Sequence, residues 1–123
     1  MIHHSIVFLP CRDIEETTAF YHDVLGLSIV NVQAGGKLKI FDCGRGCWGF
    51  QMHKDGFLLS DPERICLSLE CEKLQDVDDY YKALTARGVS TLGAPQKHPL
   101  HPVYSFFMRD PSGYTVEIQK ILD

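Results

Sequence analysis

No two cysteines form a C-x-x-C pair, no run of Lys and Arg breaks the acidic balance, and no apolar stretch exceeds a few residues. Each absence excludes something. The five cysteines, at 11, 43, 47, 66 and 71, are odd in number and unpatterned, which argues against a disulfide framework and leaves reduced thiols as the default. Cys43 and Cys47 flank the turn of DCGRGC, but no two further ligands at a recognisable spacing complete a zinc site there. Both read as small apolar strand-end residues, and Cys66, inside the apolar run ICLSL, reads as core.

Twelve Lys and Arg stand against sixteen Asp and Glu, a net charge of −4 with His neutral, so a phosphate-tracking surface and a nucleic-acid partner are not expected. Apolar stretches such as Ile6 to Leu9 fall far short of the roughly 20 residues a membrane span needs. MIHHSIVF lacks a charged leader region and a cleavage site, so the expectation is a soluble, cytoplasmic protein with no membrane partner. Gly-rich phosphate loops, Ser-His-Asp patterns and Cys-His pairs are also missing.

What is present fits one domain spanning residues 1–123, with 45% apolar residues to fill an ordinary core. In DIEETTAFYHDVLG, Asp13 reads as a helix N-cap with Glu16 as its capping-box partner. Ile14, Thr17, Phe20, Tyr21, Val24 and Leu25 mark one face, and Gly26 is the stop. In LQDVDDYYKALTARG, Leu74, Val77, Tyr81 and Leu84 recur at helical spacing, and Arg87 and Gly88 close the end. Short strands fill the rest: SIVFL and ICLSL precede the helices, LSIVNV, KLKIF and CWGFQM follow the first, and VSTL, PVYSFFM and YTVEIQ follow the second. QAGG, CGRG and DPSG supply the turns.

The two halves align with each other. A shift of 60 residues places His4 on Arg64, Ile6 on Cys66, Leu9 on Leu69 and Tyr21 on Tyr81; at the far ends a shift of 66 places Trp48 on Tyr114, Phe50 on Val116, Gln51 on Glu117 and Met52 on Ile118. The expected fold class is therefore α+β: two βαβββ modules, about 1–58 and 62–123, related by a pseudo-two-fold. Curved mixed sheets would form a cleft between them. Trp48, Phe50, Met52, Tyr104 and Phe106 are expected to line or support that cleft, or to be core.

FYHDVLGL in the first half and FFMRDPSGYTVEI at the end resemble the vicinal oxygen chelate superfamily, which includes glyoxalase I, extradiol dioxygenases and bleomycin-binding proteins. The resemblance implies the fold over essentially the whole chain and, in metal-dependent members, one divalent ion such as Zn, Ni, Fe or Mn. That ion is held by one residue from the first and one from the last strand of each half. Here those positions resemble His4, Gln51, Arg64 and Glu117. Arg64 departs from the pattern, because a guanidinium has no lone pair to offer a metal. The usual spacing back from Asp13 also lands on Ile6, and His4 is reached only with a longer loop; His3 is expected to point to the opposite face and meet solvent.

Two functions follow from the resemblance. One is an enzyme, a glyoxalase-type lyase or isomerase or a dioxygenase, with His4, Gln51 and Glu117 as metal ligands and Glu117 as the catalytic proton carrier. The other is a metal-free binder in which His4, Gln51, Arg64, Glu117 and His101 contact a small anionic or oxygenated ligand, Arg64 supplying the positive charge. His98 and His101, in KHPLHP, read either as groups closing over the cleft or as an exposed Pro-rich loop. A homodimer is the family-based expectation.

Overall fold

The computed structural model describes residues 1–123, which form two compact units, Met1–Asp61 and Pro62–Asp123. Each unit carries one four-stranded mixed sheet and one principal helical segment, so the α+β expectation of two βαβββ modules holds.

In the first unit the strands are β1 (Ile6–Pro10), β2 (Ile29–Gln33), β3 (Leu38–Asp42) and β4 (Cys47–Gln51), in the order β1-β4-β3-β2. β1 runs parallel to β4, and the other pairs are antiparallel. The first helix opens at Asp13, whose carboxylate accepts the N–H groups of Glu15 at 2.8 Å and Glu16 at 3.3 Å. Glu16 does not return a capping-box bond as expected; its carboxylate turns to Arg12 in an exposed i,i+4 ion pair.

Only Ile14–Thr18 of this helix, α1, is α-helical, and Ala19–Val24 continues as a π-helical turn ended by Gly26 at φ +79°. The wider turn leaves Phe20 and Val24 half-buried and sends Ile14, Thr17, Tyr21 and Leu25 fully inward. Tyr21 stacks on Phe50 at 4.6 Å and meets Trp48 edge-on at 6.0 Å. Trp48 and Phe50 therefore face the helix and belong to the core.

The second unit holds β5 (Cys66–Glu70), α2 (Leu74–Ala86), β6 (Gln96–Lys97), β7 (Val103–Arg109) and β8 (Thr115–Ile121), in the sheet order β5-β8-β7-β6. Gly88, at φ +85°, ends the second helix as expected. Val77 and Leu84 are buried beneath α2, Tyr81 packs edge-on against Phe106 at 5.3 Å, and the Tyr104 hydroxyl donates to Asp78 at 2.5 Å. Phe106 therefore joins the core on the helix side, and Tyr104 ties β7 to α2 from that same side.

The expected strand VSTL is absent. Thr91 bonds locally to the carbonyl of Gly93, which sits at φ +134°, so the chain bends there and the edge strand forms later, at Gln96–Lys97. In the last hairpin, the Asp110 carboxylate accepts from the N–H groups of Ser112 and Tyr114, the role its place in DPSG suggests.

The strand registers correct the internal alignment. β1 and β5 do match at a shift of 60, Ile6 on Cys66. However, Ile6 lies opposite Cys47 and Cys66 opposite Thr115, so the last strands match two residues further along than expected: Gly49 falls on Glu117 and Gln51 on Gln119. Both alignments keep buried residues on buried residues, because a two-residue slip does not change which face a side chain takes.

Candidate small-molecule site

Alternation on the second sheet separates a core face from an open one. Leu67, Phe106, Met108, Val116 and Ile118 turn toward α2 and are buried, whereas Cys66, Ser68, Phe107, Glu117, Gln119 and Ile121 take the other face. Cys66 is consequently exposed rather than core: the apolar run ICLSL buries Leu67 on its odd-numbered face, and the thiol takes the other face with Ser68.

That open face floors a cavity of about 430 Å³ lined by Cys66, Phe107, Glu117, Gln119 and Ile121 of the sheet and by His98, His101, Pro102 and Val103 of the KHPLHP loop and its continuation into β7. Register places Ser68 and Phe107 on either side of Glu117. The Ser68 hydroxyl donates to a Glu117 carboxylate oxygen at 2.9 Å and accepts from the Gln119 amide Nε2 at 2.8 Å. The Gln119 carbonyl oxygen is sealed from solvent and has no donor, which costs about 1–3 kcal/mol for such a group. The Cys66 thiol lies 3.9 Å from the same Glu117 oxygen, and burial, then the Glu117 charge and hydrogen bond, pushes its pKa up. The thiol is therefore held protonated.

Two loop histidines border the cavity. Their rings stack at 4.6 Å, and His98 Nδ1 accepts the backbone N–H groups of Leu100 at 3.0 Å and His101 at 3.2 Å. A nitrogen that accepts carries no proton, so neutral His98 holds its proton on Nε2.

The remaining expected site residues are not among those lining this cavity. Arg64 ends an exposed single turn, Pro62–Arg64, makes no ion pair and does not line this cavity. Gln51 closes β4, opposite Pro10 and Leu38. His4 precedes β1 and, with His3, Asp42, Arg45 and the loop before Cys47, lines a separate hollow of about 370 Å³ in the first unit. His3 thus shares the hollow with His4 instead of facing away from it. Sequence reasoning overlooked Ser68, Phe107 and Gln119 as site residues. The signal was available in part, since Gln119 is two residues beyond Glu117 and must share its face.

In the first unit the corresponding place differs. Gly49 takes the position of Glu117 and Phe8 that of Ser68, and the Phe8 ring covers Gly49 so closely that a Cβ there would lie 2.6 Å from it. As it stands, the Phe8 ring fills the space that a side chain at position 49 would need.

The chain belongs to the glyoxalase/bleomycin resistance protein/dioxygenase superfamily, whose model matches residues 2–118. Solved structures share the fold across almost the whole chain. A lactoylglutathione lyase from Agrobacterium tumefaciens is 22% identical over 98% of this chain and 94% of its own, with a TM-score of 0.76. A glyoxalase/bleomycin resistance protein/dioxygenase from Nocardioides is 17% identical over 100% and 85%, with a TM-score of 0.78. A virulence protein from Salmonella typhimurium is 20% identical over 99% and 98%, with a TM-score of 0.73. No curated protein sequence matches.

The divalent ion implied by the family does not suit the donors present. With ligands drawn from the first and last strands of each half, the first unit offers Ile6, where the spacing back from Asp13 lands, and Gly49, the register equivalent of Glu117, neither of which has a donor side chain; the equivalent positions of the second unit are Cys66 and Glu117. Cys66 and Glu117 are then two donors where the implied site takes four.

Proposed function

We propose that the protein binds a small molecule on the open face of the second sheet, through Glu117, Ser68, Gln119 and His101, without the four-ligand metal site. The observation that carries this reading is the joined Glu117–Ser68–Gln119 array on the floor of a 430 Å³ cavity. A cavity of that size, with mainly apolar walls and a few convergent polar groups, suits a small organic ligand. The anionic ligand expected through Arg64 is not adopted, because no Lys or Arg lines the cavity.

The competing reading, a metal-dependent lyase, isomerase or dioxygenase using His4, Gln51 and Glu117, needs donors that the strand registers do not supply. In that reading Glu117 would also carry the proton. Amide-resolved NMR with a panel of small aromatic and aliphatic fragments in the presence of EDTA separates the two. Shifts clustered at Ser68, Phe107, Glu117 and Gln119 support the binder; shifts that require added Zn or Ni refute it.

The same proposal includes a homodimer and a cytoplasmic setting. β1 is a sheet edge on which Ile6, Val7 and Phe8 are 39%, 50% and 54% exposed, an apolar strand that a second copy can cover. None of the five cysteines is joined in a disulfide, which suits a reducing compartment.

A further inference from the structure

The cavity of the second unit carries the Glu117 carboxylate, and no Lys or Arg lines it. Glu117 accepts hydrogen bonds from two neutral groups, the Ser68 hydroxyl at 2.9 Å and the Cys66 thiol at 3.9 Å, and neither the Arg12–Glu16 nor the Lys120–Glu70 ion pair includes it. The nearest cation along its strand, Lys120, is committed to Glu70 at 3.2 Å. A partly buried carboxylate without a cation is a standing electrostatic cost, and a positively charged ligand removes it.

The neighbours of Glu117 narrow the kind of cation. Phe107 is its cross-strand partner on the same face, and Val103, Pro102 and Ile121 continue the apolar wall. A carboxylate beside an aromatic ring attracts an organic cation, whose charge meets the carboxylate and whose polarised C–H groups meet the ring. A bare metal ion would gain nothing from this wall. The donors of the array are directed inward, Ser68 to Glu117 and Gln119 Nε2 to Ser68, while the Gln119 carbonyl lacks a donor.

We infer that the ligand is a small organic ammonium ion with an apolar body, its nitrogen held by Glu117 and its body by Phe107. This rests on the binding site assigned above and names the ligand class for it.

Three probes of matched shape test the inference by amide-resolved NMR titration: benzylammonium, benzyl alcohol and benzoate. The expected result is shifts at Phe107, Glu117 and Gln119, with benzylammonium binding about ten-fold more tightly than the alcohol and benzoate weakest. Glu117→Gln should bring ammonium and alcohol to within about two-fold of one another, and Phe107→Leu should weaken the ammonium more than the alcohol. A second readout needs no variant: raising salt from about 50 to about 500 mM should weaken the ammonium alone.

Equal binding of the three probes, or a preference that survives both Glu117→Gln and added salt, overturns the ammonium assignment and leaves the binding site standing. No shift at these residues with any probe overturns both.

Discussion

Ser68 is the smallest polar residue of the site and makes two of its hydrogen bonds, holding the Glu117 carboxylate and the Gln119 amide on either side. Ser68→Ala removes both, and the expected cost is about 1 kcal/mol of stability by urea denaturation. An unchanged midpoint would mean that water replaces the hydroxyl without loss. Gln119→Leu is expected to cost less: it loses the bond to Ser68 but deletes a sealed carbonyl without a donor, so stability should stay within about 1 kcal/mol of the wild type while ligand binding weakens. Cys66 reports on the charge of its neighbour. Since the Glu117 carboxylate helps to raise the thiol pKa, Glu117→Gln should lower it toward the ordinary range. More thiolate then exists at a fixed mildly alkaline pH, and alkylation of Cys66 by iodoacetamide should speed up; a slower reaction would mean that Glu117 does not act on the thiol. Position matters equally for an engineered ligand. Cys66→His puts an imidazole beside Glu117 and should give a nickel-dependent rise in melting temperature, whereas Arg64→His, outside the strand, should not.

Among the elements, the helices and most strands could be read from the sequence because their signals are local: apolar spacing, Asp13 as a cap, and Gly26 and Gly88 as stops. The π-helical turn at Ala19–Val24 could not, since the same apolar residues satisfy a helix of either pitch until the sheet chooses which of them go inside. VSTL has the residue types of a strand but forms none, tied to β7 through a Leu92 N–H bond to the Phe107 carbonyl, which propensity cannot foresee. The site was half legible. Glu117 was marked by the motif around it, but its partner in the other half was placed two residues off, on Gln51 rather than Gly49, because apolar alternation is blind to that slip. The correction has a test in the first sheet. Gly49→Ala should destabilise the fold by about 1–3 kcal/mol through the Phe8 ring above it, and Phe8→Ala in the same chain should recover much of that loss. Additive losses in the double variant would show that the ring does not press on position 49. Under α2, Leu84→Ala is expected to cost about 2–5 kcal/mol, since Leu84 is 2% exposed.

At the scale of the whole molecule, no helix is long and apolar enough to cross a membrane, and the two units repeat one strand order around different chemistry. The first closes its equivalent position with Phe8 over Gly49, and the second opens it with Ser68 beside Glu117. The exposed apolar edge of β1 predicts a homodimer, which sedimentation should report near twice 13.9 kDa; a monomer across a wide concentration range would refute it. Of the four strand positions that the resemblance implies for an ion, Ile6 and Gly49 have no donor side chain. The most direct test is elemental analysis of the protein after equilibration with excess Zn or Ni and removal of free metal. Binding without the family's metal site predicts well under one ion per chain, unchanged in Glu117→Ala, whereas one tightly held ion per chain that Glu117→Ala releases would contradict it.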